Sequence, residues 1–276
     1  MELNEILEKL FIEYNYNIKN SEGETPLHDA CSKGNLKIVK LLIDNNVDVN
    51  TQNDKGNTPL YNACIKRSFE IIKYLVENGA DVNIKNNDGD TPLHYSCKHL
   101  PLEIVKYLVD NGADINVKNN KGATPLHDMC DKKFFEEIKY LVENGADINA
   151  QDNYKNTPLH LICFHDDHDD DHFEIINYII DNEADVNIQN NEGNTPLHLM
   201  CFHDYNLEIV KSLVNNGAFI DIKNNYGETP LHHCCYKGYV QCTDIVFYLF
   251  ENGANIDSID KDADYFEQLL KYYRMA

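Results

Sequence analysis

Apolar positions along this chain follow a two-helix pattern. In one copy, Leu93 and Cys97 fall on one face, and the stretch from Leu102 to Val109 places its apolar residues at helical spacing. The Thr91-Pro92 pair is typical of a helix start, because threonine caps early backbone N–H groups and proline needs no N–H there. The Asn111-Gly112 pair is typical of a helix end. The pattern therefore predicts two short helices followed by a polar turn.

This unit recurs with an almost constant period. The Thr-Pro pair begins at residues 25, 58, 91, 124, 157, 195 and 229, so the first four intervals are 33 residues and the last two are 38 and 34. A fixed period between about 20 and 50 residues predicts stacked repeats. One pair of short helices cannot bury its apolar face alone, so each repeat must pack against its neighbours.

The unit resembles a known family. A 33-residue repeat that carries Thr-Pro-Leu-His and Gly-Ala-Asp-Val-Asn is similar to the ankyrin repeat, and the resemblance spans roughly residues 15 to 261. It implies an all-α solenoid of helix–turn–helix units with β-hairpin-like fingers, capped at both ends. It also implies a non-enzymatic protein–protein interaction module or adaptor.

We expect one continuous domain. Residues 1–261 would hold an N-terminal capping helix, with an apolar stripe that includes Leu3 and Leu10, followed by seven repeats. Residues 262–276 would form a C-terminal capping helix. The predicted repeats are approximately 22–54, 55–87, 88–120, 121–153, 154–191, 192–225 and 226–261.

The charge of the chain restricts its partners. A formal net charge of −22 argues against nucleic acid and anionic membranes, and it permits a protein partner with a basic surface. The sequence contains neither a secretory signal nor an apolar run long enough to span a membrane. We therefore expect a monomer in the cytoplasm or nucleus, or in a host cell if the protein is an effector.

Seven of the nine cysteines lie six residues after the repeat threonine, at an inner position for small side chains. Equivalent positions in stacked helices are about 8–10 Å apart. A disulfide needs Cα atoms within about 7 Å. The spacing therefore predicts buried free thiols in a reducing compartment. These cysteines are residues 31, 64, 97, 130, 163, 201 and 235.

Histidine also recurs, three residues after the threonine. The resemblance implies that each imidazole bonds within its own turn and to a neighbouring loop, so that it is structural rather than a metal ligand. These histidines are residues 28, 94, 127, 160, 198 and 232.

A histidine- and aspartate-rich insertion interrupts repeat five. His165, His168 and His172 would share one face if the segment were helical, and imidazole and carboxylate groups can bind zinc, nickel or copper. The alternatives are an acidic loop that contacts a basic partner and an inert solvated insertion. The first reading would make the protein a metal-responsive element, whereas the other two require no cofactor.

The inner helices carry the strongest indication of a binding surface. In ankyrin stacks the residues four and seven positions after the threonine face the concave groove. They are mainly polar in the first repeats, but in repeats five to seven they are mainly apolar or aromatic, which is typical of an interaction site. The competing interpretation is that the insertions fold back and bury these rings. The predicted partner-binding residues are Leu161, Phe164, Leu199, Phe202, His233 and Tyr236, with Tyr154 and Tyr226 at finger tips.

No glycine-rich phosphate loop, nucleophile elbow or Cys-x-x-Cys pair is present, so we expect neither catalysis nor a cofactor. The sequence alone leaves open whether the protein is a resident adaptor or an effector of a virus or intracellular bacterium.

Overall fold

The computed structural model describes residues 18–132, 134–164, 170–203, 206–236 and 243–255. Regular structure within these ranges is α-helical. The two predicted capping helices lie outside them. None of the described helices is long and apolar enough to cross a membrane.

Fourteen helices in the described ranges form seven pairs, as the repeat pattern predicts. The first helix of every pair begins at the proline of a Thr-Pro pair, where proline's missing N–H costs nothing. In chain order they are α1 Pro26–Lys33, α2 Leu36–Asp44, α3 Pro59–Lys66, α4 Phe69–Glu77, α5 Pro92–His99, α6 Leu102–Asp110, α7 Pro125–Lys132, α8 Phe135–Glu143, α9 Pro158–Phe164, α10 Asp170–Asp181, α11 Pro196–His203, α12 Leu207–Asn215, α13 Pro230–Tyr236 and α14 Thr243–Glu251.

The chain divides into two compact units, Met1–Asp128 and Met129–Ala276, called unit 1 and unit 2 below. In unit 1 the first helices α1, α3 and α5 pack in one layer, and α2 packs against α4 in a second layer. In unit 2 the layers are α9, α11 and α13, and α8, α10, α12 and α14. The leucine two residues after each threonine lies at the centre of these contacts and is at most 1% exposed in every repeat. These leucines are residues 27, 60, 93, 126, 159, 197 and 231.

The repeat histidine links each helix start to the next repeat. The Nε2–H of His28 donates to the carbonyl of Asn57, 29 residues further on, at 2.9 Å. Its Nδ1 accepts from the backbone N–H of Thr25 at 3.2 Å and lies 2.8 Å from the threonine hydroxyl. Because the carbonyl can only accept, the Nε2–H tautomer is the one that satisfies both contacts. The predicted structural role of these histidines is confirmed at this position.

The same arrangement recurs in both units. His94 and His198 use Nε2 to reach the carbonyls of Ala123 and Glu228, each at 3.1 Å. His160 reaches the carbonyl of Asn194, also at 3.1 Å. All three side chains are buried. Each ring therefore replaces, inside the core, the hydrogen bonds that water would have provided.

The fingers are tight turns, with no strand pairing in the described residues. In one finger Asn53 donates its N–H to the carbonyl of Asn57 at 3.0 Å, and Gly56 donates to Asn53 at 2.9 Å. Asn87, in the next finger, donates its backbone N–H to the carbonyl of Lys55 at 3.0 Å. Successive fingers are thus tied by their backbones as well as by their helices.

The cysteine series forms a buried row. The six predicted members whose side chains are described carry buried thiols that form no disulfide: Cys31, Cys64, Cys97, Cys130, Cys163 and Cys201. Cys234 is also buried and free, whereas the side chain of Cys235 lies outside the described residues. Burial raises the pKa of the Cys31 and Cys64 thiols, so these groups stay protonated and unreactive near neutral pH.

Non-glycine residues occupy left-handed backbone at four places. Asn46, Lys155 and Glu183 have φ of 58°, 58° and 69°, and they stand where other repeats carry glycine. Arg67, at φ 61°, ends α3 in the way that Gly34 ends α1, and the sequence pattern did not single it out. Only asparagine among these side chains tolerates this geometry well.

Replacing Glu183 with glycine should stabilise unit 2 by about 1 kcal/mol, since glycine adopts this backbone without the steric cost. The equivalent glycines, such as Gly145 and Gly217, have no atom within 4 Å of a Cβ placed on them, so the cost arises from φ rather than from a clash. Urea denaturation of Glu183→Gly would measure the change. The matched reverse variant Gly217→Glu should lose a similar amount, and a Glu183→Gly variant no more stable than the parent would refute the assignment of strain.

Candidate functional site

Two adjoining pockets lie on the inner face of unit 2. The first has a volume of about 390 Å³, and its apolar wall consists of Tyr154, Leu161, Phe164 and Leu199. The second has a volume of about 510 Å³ and is lined by Phe164, Leu199, Phe202 and Tyr226 on its apolar side. Because Phe164 and Leu199 belong to both, the pockets form one continuous depression, called the inner groove below.

The helix starts explain why these residues meet. Leu161 and Leu199 lie four residues after their threonines, in α9 and α11, which pack against each other. Phe164 and Phe202 lie one helical turn further on, so they follow the leucines along the same face. The repeat thus converts two sequence positions into two parallel rows of side chains.

A third row comes from the fingers. Tyr154, Glu192 and Tyr226 each stand three residues before a repeat threonine, and all three line the groove. The two tyrosines are among the residues predicted from the sequence, whereas Glu192 and Glu228 are not. Glu192 could have been predicted, because it stands at the same finger position as Tyr154 and Tyr226.

The predicted residues differ in how much surface they offer. Tyr226, Tyr154 and Phe164 are 74%, 67% and 55% exposed, whereas Leu199 and His233 are 6% and 7% exposed. Leu161 and Phe202 are half-buried. The exposed rings form the rims and one wall, and the buried pair forms the floor. The side chain of Tyr236 lies outside the described residues.

His233 connects the floor to the acidic wall. Its Nδ1 lies 3.1 Å from the carbonyl oxygen of His198, and its Nε2 lies 3.1 Å from the carboxylate of Glu228. The ring also packs edge-on against Phe202, with centroids 5.6 Å apart. Burial lowers the pKa of His233, and the carboxylate of Glu228 opposes that shift. The carboxylate is held in place as well by the side-chain amide of Asn224, which donates to it at 3.1 Å.

Unit 1 places an ion pair on the corresponding face. The ammonium of Lys98, seven residues after Thr91, lies 3.5 Å from Asp90 and 3.2 Å from Asp128. Burial alone would lower the pKa of Lys98, but Asp128 and Asp90 outweigh it, so that the pKa is raised. The inner face of unit 1 at this point is therefore charged, and Lys98 offsets part of the negative charge of the two carboxylates.

His94 lies close to the two carboxylates, and the three side chains have the spacing of a metal-binding group. However, Nδ1 of His94 lies 3.0 Å from the hydroxyl of Thr91, and Nε2 donates to a carbonyl. The ammonium of Lys98 lies between the carboxylates and supplies the compensating charge. The cluster therefore fits a salt bridge better than a metal centre.

Of the three histidines predicted as possible metal ligands in the insertion, the structure describes one. His165 and His168 lie outside the described residues. His172 is buried, and its Nε2 donates to the carbonyl of Ile162 at 2.9 Å. One nitrogen of this imidazole is thus used to join α10 to α9.

In a comparison with protein families, this chain matches the family described as ankyrin repeats (3 copies) at residues 2–86, 48–119, 112–190 and 168–260. The chain is an ankyrin-repeat protein. A comparison with curated protein sequences finds no match.

Among solved structures, this ankyrin-repeat protein is similar to the ankyrin repeat domain of Bcl-3, described as a unique member of the IkappaB protein family. The two share 29% sequence identity with a TM-score of 0.66, over 76% of this chain and 94% of that one. The predicted family and all-α repeat-solenoid fold are confirmed. Ankyrin stacks are typically non-enzymatic scaffolds for protein–protein interaction, and this chain belongs to that class.

The buried histidines should make the ankyrin-repeat protein sensitive to acid. Burial lowers the pKa of His198 from 6.5 to about 4. Between these two pH values the unfolded chain therefore binds a proton on this imidazole that the folded chain does not. The stability contributed by neutral His198 is complete above pH 6.5 and is lost as the pH falls toward 4.

A His198→Tyr variant should therefore lose less stability on acidification than the parent chain does. Tyrosine is the residue that repeat two carries at this position, as buried Tyr61. Urea denaturation of both proteins between about pH 7 and about pH 4.5 measures the two slopes. Equal slopes would contradict a proton-excluding role for His198, whatever the variant's stability at neutral pH.

Proposed function

We propose that this ankyrin-repeat protein binds a partner protein through the inner groove. The anchoring surface consists of Leu161, Phe164, Leu199 and Phe202, with Tyr154 and Tyr226 on its rims. His233 in the floor and Tyr236 complete the surface expected from the sequence. The observation that carries the proposal is the continuity of the groove across the first helices of three pairs, α9, α11 and α13.

The exposure of the aromatic rings supports the proposal that the inner groove binds a partner. Aromatic side chains that lie together on an otherwise polar face are typical anchors of protein–protein contacts. Phe164 is 55% exposed although it stands beside buried Leu199, and the two rim tyrosines are exposed further. A tyrosine also brings large contact area at little cost in side-chain entropy, since it has few rotatable bonds.

The rigidity of the groove walls also supports the proposal. Leu161 and Phe164 are fixed by α9, and Leu199 and Phe202 by α11, so that binding would order little of the protein itself. A preorganised surface keeps more of its contact energy as affinity. An intracellular setting fits the proposal, because buried free thiols persist under reducing conditions.

A Phe164→Ala/Phe202→Ala double variant should weaken partner binding by at least roughly 30-fold, since a central aromatic anchor contributes about 2 kcal/mol or more. Affinity capture from a lysate followed by mass spectrometry would compare the parent with the double variant. A protein lost with the variant would identify the partner.

The control is Phe219→Ala, which removes a ring of similar exposure, 62%, that lines neither pocket. It should retain every partner. Thermal unfolding of all three proteins shows whether the repeats remain folded, with Phe164→Ala alone as the milder variant. A partner captured equally by the double variant and the parent would exclude the inner groove as its site.

A further inference from the structure

The asparagine side chains that line the inner groove are hydrogen-bonded within the chain. An amide has donors and an acceptor, and each of these bonds occupies a group that a ligand could otherwise use. The bonds run from Asn190 to Asn156, from Asn191 to the carbonyl of Asn153, from Asn224 to Asn194 and from Asn194 to Glu192, at 3.0, 3.0, 2.9 and 3.0 Å. Three of the four bonds join neighbouring fingers, so their role is structural.

The acid and imidazole groups in the floor are engaged in the same way. The carboxylate of Glu228 accepts from the amide of Asn224 at 3.1 Å and lies 3.1 Å from Nε2 of His233. In the first pocket, Nε2 of His160 donates to the carbonyl of Asn194 at 3.1 Å. These groups have their partners inside the protein and offer little to the backbone of a ligand.

The backbone of the finger rim is also paired. The carbonyl of Tyr154 accepts from the N–H of Asn191 at 2.8 Å, and the carbonyl of Glu192 accepts from the N–H of Asn225 at 2.9 Å. An extended peptide that adds to a protein as a further strand needs a row of unpaired N–H and C=O groups. At these positions the rim does not provide one.

An extended segment would therefore bind poorly in this groove. Its N–H and C=O groups would leave water at the pockets without gaining partners, and buried polar groups without partners lower affinity. A helix satisfies its own backbone groups and presents only side chains. Its apolar face can enter a groove whose polar groups are already paired.

Glu192 is the carboxylate that stays open at the rim. It is exposed, it lines both pockets, and it takes part in none of the ion pairs among the described residues. Neither lysine nor arginine occurs among the described residues that line the pockets. A basic side chain beside the apolar face of a ligand would complement Glu192, and the net charge of −22 would attract it from a distance.

We infer that the occupant of the inner groove is an amphipathic helix of a partner protein, with apolar side chains in the two pockets and a basic flank beside Glu192. The inference rests on the proposed function of the groove and specifies the form and chemistry of its ligand.

The repeat spacing sets the pattern of the helix. Adjacent first helices lie about 8–10 Å apart, so the pockets they form are separated by a similar distance. A helix advances about 1.5 Å per residue, so apolar residues about seven positions apart reach both pockets from one face. The residue three or four positions after the first then lies near Phe164, which lines both pockets.

A random hexadecapeptide library displayed on phage, selected against the full chain, tests the inference. Enriched peptides should carry large apolar residues about seven positions apart, with lysine or arginine beside that face. In an extended ligand the two apolar residues would be about three positions apart, since an extended chain advances about 3.3 Å per residue. One enriched peptide, synthesised, then serves as the probe for measuring affinity by fluorescence anisotropy.

Proline placed five positions after the first apolar residue, on the outward face of the helix, should lower the affinity of this peptide roughly 100-fold. Proline inside a helix removes a backbone hydrogen bond and clashes with the preceding turn. Alanine at the same position is the matched control and should change the affinity by less than about twofold.

Variants of the protein locate the helix in the groove. Phe164→Ala and Tyr154→Ala should each lower the affinity for the peptide at least roughly tenfold, whereas Phe219→Ala should leave it unchanged. Glu192→Gln, which keeps an oxygen that can accept from Asn194, should lower it roughly threefold, and rising salt should weaken binding to the parent. Circular dichroism confirms that each variant is folded.

Glu251→Gln, at an exposed glutamate at the end of α14, is the control for the charge and should leave the affinity unchanged. Equal affinities of the parent and Glu192→Gln would overturn the basic flank.

The outcomes separate the inference from the proposed function. Peptides that lose binding in Phe164→Ala but carry their apolar residues about three positions apart, or that tolerate proline as well as alanine, would overturn the helix and leave the groove as the binding surface. Failure to enrich any peptide whose affinity depends on Phe164 or Tyr154 would overturn both.

Discussion

The structure of each unit depends on the hydrogen bonds of a buried imidazole. His28 accepts from the turn that starts its own helix and donates to the carbonyl of Asn57 in the next repeat, and His94, His160 and His198 make the equivalent link. A buried carbonyl without a donor would cost about 1–3 kcal/mol. One side chain thus satisfies a helix start and the neighbouring turn together. It also fixes the distance between repeats, on which the packing of the leucine layer depends.

Because this framework repeats, the inner face can vary without disturbing it. The positions four and seven residues after the threonine lie outside the leucine layer, and their side chains range from buried, as Leu199 is, to exposed, as Phe164 is. Unit 1 uses one of them for Lys98, which forms ion pairs with two carboxylates within the chain. Unit 2 uses them for Leu161, Phe164, Leu199 and Phe202, which line an open groove. The same backbone therefore carries a closed, charged face in one unit and an apolar, acidic cleft in the other.

The departures from the repeat pattern lie at the turns. Lys155 and Glu183 adopt left-handed backbone at positions where glycine is usual in this chain, which shows that the stacking contacts override a local preference of about 1 kcal/mol. Both lie in repeat five, one on each side of the histidine insertion. Buried His172 rejoins the core there, through its hydrogen bond to the carbonyl of Ile162. The stack accommodates an insertion because each repeat contacts only its neighbours.

The sequence by itself determined the period, the start of each described first helix and the burial of the cysteine row, because these follow from residue preferences repeated in register. The role of the histidines was implied by the family resemblance. The sequence also assigned Phe164, Phe202, Tyr154 and Tyr226 to one surface. It did not show that Leu199 and His233 would form the floor while Phe164 stayed exposed, nor that Glu192 and Glu228 would line the same cleft, nor that Lys98 would reach both Asp90 and Asp128. Those features depend on side-chain orientation and on distances between residues some 30 positions apart, which only the packing of one repeat on the next sets.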